Sequence, residues 1–270
     1  MLRAVDFFNL KNNRFFPLFE DTEYVWEGLN KIKPLIRDLL EPNVTMLRHG
    51  KSLIDKTLVL YDGKVLDSGF TIDNTGKKLE VLLDGSVIKG ASVIFAGSFL
   101  MDDEIYIGRN TVVEPTALIK GPAFIGDGTE VRHGAYIRGN VLIGDNCVVG
   151  HATEMKSSVM LGESKAGHFA YIGDSILGSV NLGAGTKLAN LKMTDSPVTL
   201  NIENRVYETG LRKFGAILGD EVETGCNSVT SPGTLLGKKV LLYPNGTARG
   251  YYPPQTVVKV IQDQEFRHIR

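Results

Sequence analysis

Basic side chains recur at a spacing of eighteen residues near the middle of the chain. Lys120, Arg138 and Lys156 each follow an apolar residue, and they stack if eighteen residues close one turn of a coil. Stacked cations a few ångströms apart repel one another unless an anion lies among them. The spacing therefore indicates a phosphate site. The alternative is a solvated surface in which carboxylates such as that of Glu154 lie between the cations.

Two histidines share this spacing and raise the question of a metal site. His133 and His151 are eighteen residues apart, so they would also stack. A catalytic zinc ion needs three protein ligands and one open position. These two histidines supply only two ligands, so a third histidine would have to come from a neighbouring subunit. We therefore expect no metal site.

Apolar residues every six positions define the element that must position these side chains. A period of six does not fit an α-helix, which has 3.6 residues per turn. Ten consecutive matches, each with a small or β-branched residue two positions earlier, are typical of a parallel β-helix with strands about 4.8 Å apart. We expect the large and the small residues, Cys147 included, to face inward. The ten large residues are Ile107, Val113, Ile119, Ile125, Val131, Ile137, Ile143, Val149, Met155 and Leu161.

The rest of the chain divides around this coil. We predict an α+β region at residues 1–100, the coil at 101–250 and a C-terminal tail at 251–270. The hexads break at about 192–213, which predicts an excursion from the coil. The shifted register at Glu163–Phe169 predicts a bulge or loop that leaves a coil corner.

Composition excludes several classes of function. The chain has 270 residues and a formal net charge of −1, so no bulk field attracts nucleic acid or an anionic membrane. No apolar run approaches the roughly 20 residues of a membrane span. The first residues soon reach Asp6, Lys11 and Arg14, which does not fit a signal peptide. Two cysteines do not make a disulfide framework. We expect a cytoplasmic protein.

Two motifs beyond the hexads are specific. They are the Ser-Lys-Ala-Gly-His-x-x-Tyr-x-Gly-Asp run that ends at Asp174 and the Asn-x-Gly-Ala-Gly-Thr run that begins at Asn181. They closely resemble the acetyltransferase half of the bifunctional N-acetylglucosamine-1-phosphate uridyltransferase/glucosamine-1-phosphate acetyltransferases. The segment from Thr209 to Asp220 is more similar to the archaeal-type sugar-phosphate nucleotidyltransferase/acetyltransferases.

This resemblance covers about residues 105–245. It implies a left-handed β-helix and a homotrimer with sites between subunits. It also implies acetyl-CoA as cosubstrate, an amino sugar phosphate as acceptor and no metal requirement for acetyl transfer.

The resemblance also implies roles for individual residues. His168 matches the catalytic base, and a histidine with a pKa near 6.5 suits removal of a proton from an attacking amine. The glycine-rich backbone after Asn181 could approach the thioester, because no large side chain intervenes. The other assignments are Arg132 and Lys156 to the sugar phosphate, Tyr171 and Asn190 to the sugar, Asn181 to the substrate-binding strand, and Gly183, Ala184 and Gly185 to the cofactor.

Two departures from the family bear on function. Ser196 stands where a substrate-binding lysine is expected, with Lys192 as a candidate substitute. Residues 1–100 do not show the glycine-rich nucleotide loop of the family's nucleotidyltransferase domain, so we expect no uridyltransferase activity. Two functions stay open. One is an N-acetyltransferase in the synthesis of UDP-N-acetylglucosamine or cell-envelope precursors. The other is a non-catalytic module that binds a sugar nucleotide or a partner enzyme.

Overall fold

Three long sheets of short stacked strands form the body of the protein. The computed structural model describes residues 2–76, 79–261 and 265–268. Within each sheet, neighbouring strands come from successive turns of the chain, so the strands wind into a solenoid of about nine turns. The predicted fold class, a parallel β-helix of hexapeptide repeats, is confirmed, and its left-handed winding stays a prediction.

The first sheet, here called face 1, has 11 strands. Its first two strands form an antiparallel hairpin on the first coil, and all later neighbours are parallel. In spatial order the strands are Lys64–Leu66, Leu58–Tyr61, Ser92–Ile94, Val112–Val113, Glu130–Val131, Val148–His151, Lys165–His168, Asn181–Leu182, Glu223–Thr224, Leu241–Leu242 and Val257–Val258.

The other two faces have eight parallel strands each. Face 2 contains Phe99–Leu100, Leu118–Ile119, Tyr136–Ile137, Glu154–Lys156, Tyr171–Gly173, Lys187–Leu188, Val229–Thr230 and Thr247–Ala248. Face 3 contains Ile105–Ile107, Ala123–Ile125, Val141–Ile143, Val159–Met160, Ile176–Leu177, Ala216–Leu218, Thr234–Leu236 and Tyr251–Tyr252. The stacked strands thus extend from Ser92 to Val258, beyond the limits 101 and 250 expected from the hexads.

Alternate large and small side chains fill the interior of the coil. The first nine of the ten predicted residues, Ile107 through Met155, lie in one buried cluster, and Cys147 lies there too. Threonines at small positions donate to the backbone of the next coil, as Thr111 does to Gly126 O at 2.8 Å. This satisfies hydroxyl groups that would otherwise be buried without a partner.

The tenth predicted residue, Leu161, does not face the interior. It is buried on the outside of the coil, and Met160 occupies the inward position opposite Ile143. This coil is one residue shorter than the previous ones, so pairing moves every inward side chain one residue earlier. A one-residue slip reverses the direction of each side chain, because the side-chain period of a strand is two.

The loop predicted at Glu163–Phe169 is also wrong. Lys165–His168 is a regular strand of face 1, paired with Val148–His151. The coil absorbs the changed spacing by losing one residue and keeps its ladder of hydrogen bonds. His168 therefore lies at the end of a strand and not on a bulge.

The N-terminal segment covers the outside of face 3. It contains the helices α1 (Ala4–Phe7) and α2 (Gly28–Leu39), with 3-10 turns at Phe16–Phe19 and Val25–Glu27. The next helix, α3 (Thr45–Arg48), instead places Leu47 in the interior cluster of the coil. The aromatic residues of the N-terminal segment pack on outward residues of face 3, and the rings of Phe15 and Phe124 meet edge to face at 5.8 Å. Burial of this apolar face holds α2 beside the coil, close to one of its edges.

Two small antiparallel sheets lie outside the stack. One is the hairpin Thr199–Ile202 and Arg205–Glu208, within the segment that interrupts the hexads. The other joins Phe70–Asp73, Glu80–Leu83 and Ser86–Val87. Among the described residues, the helices are all too short or too polar to cross a membrane.

Candidate functional site

Most of the predicted site residues lie at or beside two corners that flank face 2, whereas Asn181 lies on face 1. We call Arg132, His133, His151, His168 and Phe169 the histidine corner, between faces 1 and 2. We call Lys120, Arg138, Lys156 and Asp174 the lysine corner, between faces 2 and 3. At both corners the backbone turns sharply, with φ of 54° at Phe169 and 48° at Asp174. Non-glycine residues seldom adopt this left-handed conformation, and the stacked coils hold it in place.

A polar network links four side chains at the lysine corner. The Lys156 amine donates to Asp174 Oδ2 at 2.9 Å, and the amide of Asn190 donates to the same oxygen. Tyr171 in turn donates its hydroxyl to Asn190 Oδ1 at 3.3 Å. Lys156 and Asp174 each keep only 16% of their side-chain surface exposed. The structure thus brings together three predicted substrate-binding residues, and Asp174 connects them.

The phenol of Tyr171 titrates above its ordinary range. Burial raises its pKa because it disfavours the phenolate, and the positive charge of Lys156 opposes this shift. Tyr171 is therefore a neutral hydrogen-bond donor at physiological pH. A donor of this kind suits a sugar hydroxyl or another neutral acceptor.

The other cations of the basic ladder already have partners within the chain. Arg138 pairs with Glu154 at 2.6 Å, which raises the pKa of the Arg138 guanidinium. The Lys120 amine lies 5.5 Å from the centre of the Tyr136 ring. Lys120 and Arg138 therefore need no bound anion to offset their charge. The hypothesis of a phosphate site now depends on the surroundings of Lys156.

A cleft opens beside Lys156, between the coil and helix α2. Its volume is about 380 Å³. Lys156 and Asp174 line it from the coil, Lys33 from α2, and Lys213 from the end of the excursion. The sequence analysis missed Asp174, Lys33 and Lys213. The Tyr-x-Gly-Asp run contained the signal for Asp174, and the segment from Thr209 to Asp220 contained Lys213, but no local pattern pointed to Lys33.

Aromatic rings stack along the histidine corner. The rings of His133 and His151 lie 5.3 Å apart and nearly parallel, and Phe169 meets His151 edge to face at 5.2 Å. The backbone and Thr116 hold these two imidazoles, since His133 Nδ1 is 2.9 Å from Thr116 Oγ1 and His151 Nδ1 is 2.8 Å from His133 O. Within the described ranges, no three metal-binding side chains group closely enough to hold a metal ion.

His168 differs from the other two histidines. It is exposed at the end of its strand, and no described residue makes a hydrogen bond with its ring. The neighbouring Gly167 faces open space, since a Cβ added there would meet nothing within 4 Å. Gly167 is therefore not required by close packing within the chain or by a left-handed backbone conformation. The corner next to His168 therefore leaves room for a ligand or a second subunit to approach the backbone.

The two corners do not meet within one chain. The strand Tyr171–Gly173 separates His168 from Asp174, and three residues of strand rise about 10 Å. Arg132 lies on the His168 side, where its guanidinium binds Glu130 at 2.7 Å. The structure therefore does not place Arg132 or His168 beside Lys156.

The glycine-rich run has a structural cause in the stacking of coils. A Cβ at Gly183 would lie 2.5 Å from the backbone of Thr224 and Gly225 in the next coil, and Gly185 adopts a φ of 77°. Asn181 is exposed on face 1, next to Lys165 and Glu223. Approach of a thioester to Gly183, Ala184 and Gly185 remains a prediction.

The loop that departs from the family is closed by its own residues. The Lys192 amine donates to Ser196 Oγ at 2.9 Å and to Pro197 O at 3.1 Å. Lys192 does not line the cleft at the lysine corner, whereas Lys213 does. Lys213 and Lys33, and not Lys192, are thus the lysines that line the cleft with Lys156.

Fold and site together define a hexapeptide-repeat β-helix with two polar corners. The chain matches the GMPPB C-terminal domain over residues 119–244. Among the curated proteins to which it is similar are bifunctional sugar-1-phosphate nucleotidyltransferase/acetyltransferases of the GlmU type.

The similarity to curated relatives is confined to part of each chain. The bifunctional sugar-1-phosphate nucleotidylyltransferase/acetyltransferase of Sulfurisphaera tokodaii is 40% identical over 82 residues. The bifunctional protein GlmU of Methanococcus vannielii is 43% identical over 83 residues. Each match covers 30% of this chain and 20% of the relative, so the chain spans about a fifth of the length of these proteins. Among solved structures, the polysialic acid O-acetyltransferase OatWY aligns with 61% of this chain and 89% of its own, at 15% identity and a TM-score of 0.22.

Proposed function

We propose that the protein is an acetyl-CoA-dependent N-acetyltransferase whose acceptor is an amino sugar phosphate such as glucosamine-1-phosphate. The main support is the geometry of His168, an exposed imidazole with no hydrogen-bond partner among the described residues and open space beside it. The similarity to relatives named as acetyltransferases supports the same reaction class. Its place would be the synthesis of UDP-N-acetylglucosamine or related cell-envelope precursors.

In this mechanism His168 removes a proton from the amine of the acceptor. The amine nitrogen then forms a bond to the thioester carbonyl carbon, and the carbon–sulfur bond breaks. His168 returns the proton to the departing thiolate, so the products are an amide and free CoA. A histidine suits both steps, because an imidazole can both accept and donate a proton.

The acceptor would bind at a lysine corner. Lys156 offers a charge-assisted hydrogen bond to a phosphate oxygen, and Tyr171 and Asn190 offer donors and acceptors for sugar hydroxyls. Within one chain, face 2 separates this corner from His168. We therefore propose a homotrimer in which His168 and Arg132 of one subunit face Lys156 of the next. The open space at Gly167 fits such a contact.

The test is turnover of acetyl-CoA with glucosamine-1-phosphate, followed by chromatographic separation of CoA. A thiol reagent is avoided because Cys226 is exposed. We expect His168→Ala to lower kcat by roughly 10²–10⁴, the usual effect of losing a general base. His133→Ala is the matched control, since its imidazole lies at the same corner but is bound to Thr116. Lys156→Ala should instead raise KM with little change in kcat if the lysine binds the phosphate equally in ground and transition states.

The alternative function is a non-catalytic module that binds a sugar nucleotide or a partner enzyme. Lys192 favours it, because this lysine is held within its own loop by Ser196. If no amino sugar phosphate supports acetyl-CoA turnover, and His168→Ala changes only ligand affinity, the module replaces the enzyme as the better account.

A further inference from the structure

The cleft at the lysine corner has one wall that comes from outside the coil. Helix α2 contributes Lys33, and the excursion contributes Lys213, while Lys156 and Asp174 come from the coil. The helix is held there by burial of Ile32 and Ile36 against the apolar cluster on face 3. The N-terminal segment therefore shapes a possible binding site in addition to covering the coil.

The charges around this cleft do not balance. Three lysines line it against a single carboxylate, Asp174, which is already engaged by Lys156 and Asn190. Neither Lys33 nor Lys213 makes an ion pair within the described part of the chain. Like charges gathered around a concave surface repel one another and concentrate anions from solution.

The remaining lining combines polar groups with the apolar side chains of Leu29, Ile32 and Leu211, a mixture that is usual in small-molecule sites. Asn140 and Ser157 offer an amide and a hydroxyl beside the lysines, and a volume of about 380 Å³ lies at the lower end of the usual range for small-molecule sites. A charge excess of two matches a phosphate monoester, which carries between one and two negative charges near pH 7. A neutral sugar would leave the charge excess uncompensated, so a sugar that carries a phosphate fits this lining better than a neutral one.

We infer that Lys33 and Lys213 bind the phosphate of a sugar phosphate together with Lys156, so that helix α2 forms part of the substrate site. The identity of this ligand as the acceptor rests on the proposed function, whereas the use of the two lysines for phosphate does not. Lys213 then supplies the positive charge that Ser196 cannot supply. The role of the N-terminal segment would be to complete an anion site that the coil alone leaves open.

The test is calorimetric binding of glucosamine-1-phosphate to the full chain, with inorganic phosphate and glucosamine as separate probes. Lys33→Gln and Lys213→Gln should each weaken binding of glucosamine-1-phosphate roughly five- to tenfold at low salt, since each removes a charge-assisted contact that is partly screened by solvent. Both side chains are exposed, so the variants should fold. Lys64→Gln, on the hairpin of face 1, is the matched control for loss of one surface charge.

The outcomes separate this inference from the proposed function. Weakened binding in both cleft variants but not in Lys64→Gln supports the inference, even if the protein turns over no acetyl-CoA. Unchanged affinity in Lys33→Gln and Lys213→Gln overturns it, even if turnover is robust. Failure of the wild-type chain to bind either phosphate probe also overturns it, as does equally tight binding of glucosamine.

Discussion

The pair Lys156–Asp174 should be strongly coupled, because both side chains are largely buried in one network. Asp174→Ala removes the acceptor shared by the Lys156 amine and the Asn190 amide. Lys156→Ala leaves the carboxylate of Asp174 without its counter-charge. Each single substitution therefore leaves a charged group without its counter-charge in a site where only 16% of the side-chain surface is exposed.

The expected magnitude follows from these contacts. Hydrogen bonds to charged groups contribute about 1.5–3 kcal/mol each, and remaining access to water reduces the loss. We expect Asp174→Ala to lower the free energy of unfolding by about 2–3 kcal/mol. The coupling energy between Lys156 and Asp174, taken from a double-mutant cycle, should be roughly 1–2 kcal/mol.

The assay is urea unfolding of the four proteins of the cycle at one protein concentration. The pair Arg138–Glu154 on the preceding coil is the internal control, with side chains that are 44% and 33% exposed. Ion pairs exposed to solvent are weakly coupled, so this second cycle should give a smaller value. Equal coupling in the two cycles would refute the argument that burial strengthens the Lys156 network.

Three further predictions concern the coil and its assembly. Ile137→Ala should lower the free energy of unfolding by about 2–5 kcal/mol in urea titrations, because it leaves a cavity in a fully buried core; a loss below that range would mean that the coil relaxes around it. Iodoacetamide at pH 8 should label Cys226 but not Cys147 in the native protein. Burial raises the pKa of the Cys147 thiol to about 12 and so disfavours the reactive thiolate, whereas Cys226 is exposed. Equal labelling of the two cysteines, measured by mass spectrometry, would contradict this. Light scattering at micromolar concentration should give the mass of a trimer, and a monomer would contradict the site between subunits.

The first half of the coil was predictable because its information is local. Each hexad repeats a large inward residue and a small one, and each turn closes on itself, so the inward positions from Ile107 to Met155 follow from the period alone. The sequence also contained a signal that face 3 is covered on its outer side. Tyr106, Phe124 and Leu142 are apolar at the middle of successive face 3 strands, which indicates that another segment covers them.

The register after Met155 depends on pairing between coils and not on local pattern. A shifted hexad can be read as a loop or as a shorter coil, and only the ladder between Val148–His151 and Lys165–His168 decides for the shorter coil. That ladder keeps backbone hydrogen bonds satisfied, whereas a bulge would leave some of them unpaired.

Sequence alone determined the repeat, the inward residues of the regular coils and, through the specific motifs, His168, Lys156, Tyr171 and Asn190 as candidates for chemistry. Tertiary structure decided which of them meet. The turn of the coil places His168 and Lys156 at opposite edges of face 2, and packing of α2 on face 3 places Lys33 near Lys156. Periodic patterns encode contacts between neighbouring turns. Contacts between distant segments depend on apolar burial across the whole molecule, and burial is non-directional and has no period to read.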